Sequence, residues 1–233
     1  DPRKVTWLTY ALVAAGLAAL VLVIWIALAR DAPGPTRAAS MREPISVLGT
    51  GVRAWALVLF YFLAFGGFVA MYLYLPKLLT GVHELSKTDA GARAAGFALL
   101  AVVGRPLGGV VSDKLGADRV LLVCFVTVLV LALGLAVGHD SIVPLTACCL
   151  VMALALGLGM GAVFKLVPVW FPDNVGAVTG VVGAAGGLGG FFPPLVMGVV
   201  KSATDGYGLG FVLMAAVALV CLVVLRGMST STA

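Results

Sequence analysis

Seven continuous apolar runs divide this chain, and they decide most of what it can fold into. They are Trp7–Ala29, Ala54–Pro76, Ala94–Ser112, Val120–Gly138, Ser141–Phe164, Asn174–Val200 and Gly206–Leu225. Crossing a bilayer as a helix takes about 20 apolar residues. Lipid offers the backbone no hydrogen-bond partners, so only helices and closed barrels span it. Barrel strands alternate in character over about 10 residues, and these runs do not alternate. Charged residues make up 11% of the 233, against 62% hydrophobic, too few to cover a water-facing domain of this size. The expected fold class is therefore all-α integral membrane, with seven transmembrane helices. The first run is too long for a leader's apolar core, and no small-residue cleavage site ends it before Arg30, so it is expected to be a span. The chain opens Asp1-Pro2-Arg3-Lys4 without an initiating Met, as expected of a cut, processed or partial chain.

The longest connection runs from Arg30 to Gly51 and carries Pro33, Pro35 and Pro44 among small residues, the composition of an inter-domain linker. The layout is one helix, a linker, then six closely connected helices. Between Lys77 and Arg93 the chain is polar, and Val82–Thr88 is expected to be a solvated loop. The sixth run holds eight glycines between Gly176 and Gly198, several of them four apart, with Pro193-Pro194 after Phe191-Phe192. Glycine faces let helix backbones approach closely, and bare backbone can also line a polar cavity. Packing together with a hinge is the expectation here. Gly157, Gly159 and Gly161 repeat the theme in the fifth run. Lys165, one turn later, is expected to snorkel to the headgroups, with an ion pair or gating role as the other reading.

Arg105 stands inside the otherwise uncharged run Ala94–Ser112. An arginine at mid-bilayer costs about 2.5–3.5 kcal/mol on insertion scales, and none of the other long runs holds an acidic residue or histidine to neutralise it. A permanent cation without an internal partner implies one that arrives from outside, most simply a small anion. Other chemistry is not indicated. His83 and His139 lie in loops, no nucleophile–base set is present, and Cys124, Cys148, Cys149 and Cys221 lack metal-ligand spacing and read as apolar packers. No metal, cofactor or enzymatic activity is expected. The net charge of +5 is spread over loops with no block suited to nucleic acid. With the first loop taken as cytoplasmic, Lys and Arg divide seven against six between the two faces, which leaves orientation unset.

Gly109-Val110-Val111-Ser112-Asp113-Lys114-Leu115-Gly116 resembles the loop signature of the major facilitator superfamily, matched at Gly109, Asp113, Lys114 and Gly116. Ala117-Asp118-Arg119 replaces the usual basic pair that follows. In that superfamily the loop is cytoplasmic, and twelve spans form two six-helix halves. The resemblance narrows at three places. Gly180 to Pro193, with Gly183, Gly186, Gly187, Gly189 and Gly190, looks like the eleventh-helix signature of nitrate/nitrite porters. Gly159 to Pro168 is similar to their tenth helix, with Met160 where many members carry Asn, and Tyr61 to Phe68 looks like their seventh.

The resemblance implies a C-terminal six-helix bundle plus the preceding helix. Residues 1–30 would be the last helix of the N-terminal half, 31–52 the cytoplasmic linker, and 53–233 the bundle. It implies a multi-pass protein of the inner (plasma) membrane that carries nitrate and nitrite by alternating access. Arg105 would be one of two opposed arginines that hold the anion, with Tyr61 and Phe65 lining the site; the second arginine would come from an N-terminal half on the same polypeptide or a separate chain. Tyr61 and Phe65 share a helix face, being four apart, whereas Phe68 and Tyr72 are read as packing or lipid-facing. The absence of a proton carrier in the spans favours anion exchange over proton symport. The alternatives are a porter of another small anion such as formate or oxalate, and a non-transporting half-length remnant or assembly partner.

Overall fold

The computed structural model describes residues 2–28, 49, 51–138, 141–204 and 208–229. The chain divides into two compact units, Asp1–Ala38 and Ala39–Ala233. The first contains α1 (Pro2–Leu28), a single 27-residue helix with no charged residue beyond Lys4. The second contains α2 (Val52–Gly81), α3 (Lys87–Leu115), α4 (Ala117–Val137), α5 (Ile142–Trp170), a 3-10 turn at Pro172–Asn174, α6 (Val175–Thr204) and α7 (Gly208–Ser229). All seven helices are long and apolar enough to cross a membrane. The expected linker, 31–52, lies outside the described residues up to 48, and so does His139.

Several helix boundaries differ from the apolar runs. The polar segment Lys77–Arg93 is mostly helix: α2 continues through Pro76 to Gly81, and α3 already starts at Lys87. Ser86 explains the early start. Its hydroxyl accepts the Asp89 backbone N–H at 3.1 Å and donates to the Asp89 carboxylate at 2.6 Å, an N-cap that satisfies a donor the helix cannot. Only Val82–Ser86 is left as connection. The fifth helix likewise passes Phe164 and ends at Trp170. At the other end of α3 the whole turn is Gly116, whose φ of +88° suits a residue without Cβ; its N–H donates to the Ser112 carbonyl at 2.9 Å.

In lipid, tails are as apolar as leucine, so helices associate through close packing rather than water exclusion. Glycines do this here. On α3, Gly104 and Gly108 meet Gly157 and Leu158 of α5, and a Cβ on Gly108 would strike the Leu158 carbonyl. In return, a Cβ on Gly157 would strike the Ala101 carbonyl and one on Gly161 the Arg105 carbonyl. Two four-residue glycine spacings therefore interlock. The same device joins α2 to α6, where a Cβ on Gly66 would sit 2.5 Å from the Gly189 carbonyl oxygen, and one on Gly189 would sit 2.7 Å from the Phe62 oxygen. Helix α7 packs along α4. The centre is filled by Phe60 and Phe125, with ring centroids 5.3 Å apart, among buried Leu121, Met152 and Leu156. Outward, Leu99, Val102, Val130, Leu219 and Val223 are exposed, an apolar face matched to lipid tails.

Candidate functional site

Arg105 stays at the surface of its unit, and among the described residues no carboxylate pairs with it. Pro106 follows it within α3; proline has no N–H, so the Val102 carbonyl loses its helical donor there. The guanidinium lies over the Phe164 ring of α5, with Cζ 5.5 Å from the centroid, inside the range of a cation–π contact. Gly161 makes this possible: its bare backbone fits against the Arg105 carbonyl, and Phe164 stands three residues on, one turn along α5.

Tyr61 also packs against Phe164. Their centroids are 4.8 Å apart at 65°, edge to face, and Tyr61 stacks on Phe65 at 5.7 Å and 16°. Tyr61 is buried and Phe65 half-buried. Across from them runs α6. A Cβ on Gly186 would strike the Tyr61 ring, and one on Gly190 would reach Phe65 at 3.5 Å. Gly189, between these two, is the residue that presses α6 onto α2. Packing and site shape thus come from one glycine row. The result is an open cationic spot bounded by three aromatic rings and bare backbone. It can hold a small, flat anion: guanidinium donates two parallel hydrogen bonds to a planar oxyanion, and the rings shield that contact from water.

Sequence reasoning named Arg105, Tyr61 and Phe65, and these lie in one cluster. It missed Phe164 as a member. The available clue was spacing, since Phe164 stands one turn beyond Gly161. The remaining glycines divide. Gly159 is in ordinary contact with Ala64 and Cys124, 3.6 and 3.8 Å from its absent Cβ, whereas Gly183 and Gly187 face open space.

The loop motif forms a separate cluster at the C-terminal ends of α3 and α5. Lys165 binds the Asp113 carboxylate at 2.7 Å. The expectation that Lys165 merely snorkels is therefore replaced by its alternative, an ion pair. Gly109 shows why: the Lys165 stem crosses α3 there, with Cε 3.5 Å from where a Cβ would stand, and reaches Asp113 one turn on. Lys114 lies in the last turn of α3 and Gly116 ends it.

The family model described as Major Facilitator Superfamily matches residues 79–231. The chain is 41% identical over 234 residues to the "Probable nitrate/nitrite transporter NarK2" of Mycobacterium tuberculosis (strain H37Rv), covering 94% of this chain and 57% of that protein. It is 42% identical over 169 residues to the "Nitrite extrusion protein" of Bacillus subtilis (strain 168), covering 71% and 42%. The "Probable nitrate transporter NarT" of Staphylococcus epidermidis is 39% identical over 176 residues, covering 76% and 45%. The chain spans about half the length of the curated relatives it matches. Among solved structures, the inward-open xylose transporter XylE from E. coli superposes with a TM-score of 0.63 at 19% identity, covering 79% of this chain and 48% of that one, and shares its fold.

Proposed function

The chain belongs to the Major Facilitator Superfamily, and from that premise we propose that it supplies the C-terminal portion of a plasma-membrane transporter, not an enzyme, that moves nitrate and nitrite by alternating access. The observation that carries this reading is the open guanidinium of Arg105, seated on Phe164 and flanked by the stacked Tyr61–Phe65 pair. A cation left without a carboxylate at membrane depth is a costly arrangement, and an arriving oxyanion resolves it. The relatives' names supply the anion. Arg105 binds it as a fork, Tyr61 can donate a hydrogen bond from its phenol, and Phe65 lies against its flat face. Release follows when the opposing half rocks and opens the site to the other side. With no acidic side chain or histidine in the apolar runs, coupling is read as exchange of one anion for another.

Replacing Arg105 by Lys tests this. The charge stays but the fork is lost, and one charge-assisted hydrogen bond is worth about 1.5–3 kcal/mol. Nitrate uptake by membranes carrying the variant together with an N-terminal half should fall at least about tenfold, with membrane abundance unchanged. Uptake at the parental rate would assign Arg105 a structural role. Competition by formate or oxalate stronger than by nitrite would move the substrate to the carboxylates.

A further inference from the structure

Tyr61 and Phe65 are not the end of the aromatic row on α2. Phe68 follows at 6.3 Å from Phe65, and Tyr72 stacks on Phe68 at 6.2 Å and 20°. The spacing of four, three and four residues keeps all four rings on one helix face. They span about 16 Å of helix, at 1.5 Å per residue. Exposure rises along the row, from 5% at Tyr61 to 44% at Tyr72, with Phe65 and Phe68 half-buried between them. Phe68 is held from α3 by Phe97, which is fully buried and nearly parallel to it, 5.8 Å away at 4°. On the α6 side, Gly190 offers Phe65 and Val69 bare backbone. Tyr72 stands four residues before Pro76, towards the end of α2 where Lys77 provides the next positive charge.

We propose that Phe68 and Tyr72 form a second, weaker contact site for the anion, between the C-terminal end of α2 and Arg105. This rests on the transport reading above. Between Arg53 and Lys77, α2 carries no charged side chain, so nothing on it can trap an anion. Ring edges are the positive rim of the aromatic quadrupole, and the Tyr72 hydroxyl is the first donor of the row to be met from that end. Both attract an anion without holding it. Passage needs such contacts, strong enough to admit an ion and weak enough to release it onto the guanidinium. The parallel Phe97 ring holds Phe68 in place from the α3 side.

The test uses the chain with its N-terminal half in proteoliposomes, nitrate as probe, and the variants Tyr72→Phe and Phe68→Leu. Tyr72→Phe should raise the KM for nitrate about three- to tenfold, the loss of one hydrogen bond. Its kcat and the equilibrium nitrate affinity of the detergent-solubilised protein should stay within about twofold, the pattern of a lost contact away from the tight site. Phe68→Leu, which keeps bulk but removes the ring edge, should raise KM in the same way, and Phe68→Tyr should restore it. Parental KM values in both leucine and phenylalanine variants would make Tyr72 an interface anchor and Phe68 a packing residue. Loss of thermal stability in step with transport would do the same. A parent protein that moves neither nitrate nor nitrite would bring down the transport reading, and this inference with it; a parent that transports with both variants unchanged brings down this inference alone.

Discussion

Individual residues in this bundle are judged by what an added or lost atom would meet. Asp113 and Lys165 make a close pair, but their side chains are 58% and 42% exposed, and pairs so exposed contribute about 0.2–1 kcal/mol. Asp113→Asn should therefore lower thermal stability only slightly, and the difference should shrink in high salt; a large, salt-independent loss would point to a role beyond the pair. Gly161 is the opposite case. Its Cβ would strike the Arg105 carbonyl, and overpacking of this kind costs about 1–3 kcal/mol. Gly161→Ala is expected to destabilise the bundle and to displace Phe164 from the guanidinium. Buried Cys124, Cys149 and Cys221 give the readout, since a thiol-reactive dye reaches them only on unfolding. The sequence made Arg105 conspicuous because charge in an apolar run is conspicuous. Phe164 was hidden, because one aromatic among many in a span carries no mark until the helix it faces is known. Lys165 was misread for a related reason: its partner lies 52 residues away and a helix apart.

Elements were more legible than their contacts. Apolar length alone placed seven helices, and it failed where polar residues continue a helix, at Lys77–Gly81 and Lys87–Arg93, because length of apolar run measures the membrane and not the helix. The local cap at Ser86 was the missing term. Glycine content announced that α5 and α6 pack closely, but not which glycines do the packing. The structure separates them. Gly189 abuts the Phe62 backbone, Gly186 abuts the Tyr61 ring, and Gly187 faces open space. A hinge would make the three behave alike, whereas packing makes them differ. Gly187→Ala should leave stability unchanged or raise it, since alanine is favoured over glycine inside a helix by about 1 kcal/mol. Gly189→Ala should lower stability through loss of the α2–α6 contact. Gly186→Ala should spare insertion but weaken nitrate binding, because Tyr61 has to move. Dye-based melting of the three variants beside nitrate affinity checks this; equal effects at all three positions would favour the hinge instead.

At the scale of the whole molecule, the site has an open side. Arg105 sits at the surface of a six-helix unit, and a single guanidinium on one wall can bind an anion but cannot alternately close two faces around it. Alternating access needs a second wall that moves against the first. The chain spans about half the length of its relatives, which fits one wall. Produced without an N-terminal half, it should insert and melt cooperatively, since its glycine contacts lie within the unit, yet carry no nitrate. Adding the N-terminal half should restore uptake, and replacing the arginine that the resemblance places opposite Arg105 should lower it at least as far as Arg105→Lys is expected to. The intact mass of the polypeptide in its native membrane decides how the halves are joined. A mass near twice 23.8 kDa places both on one chain; a mass equal to it calls for a separate partner, to be found by crosslinking from the Arg105 face. Nitrate uptake by the chain alone at the restored rate would contradict the two-wall mechanism, because it would require this unit to build both faces of the site from copies of itself.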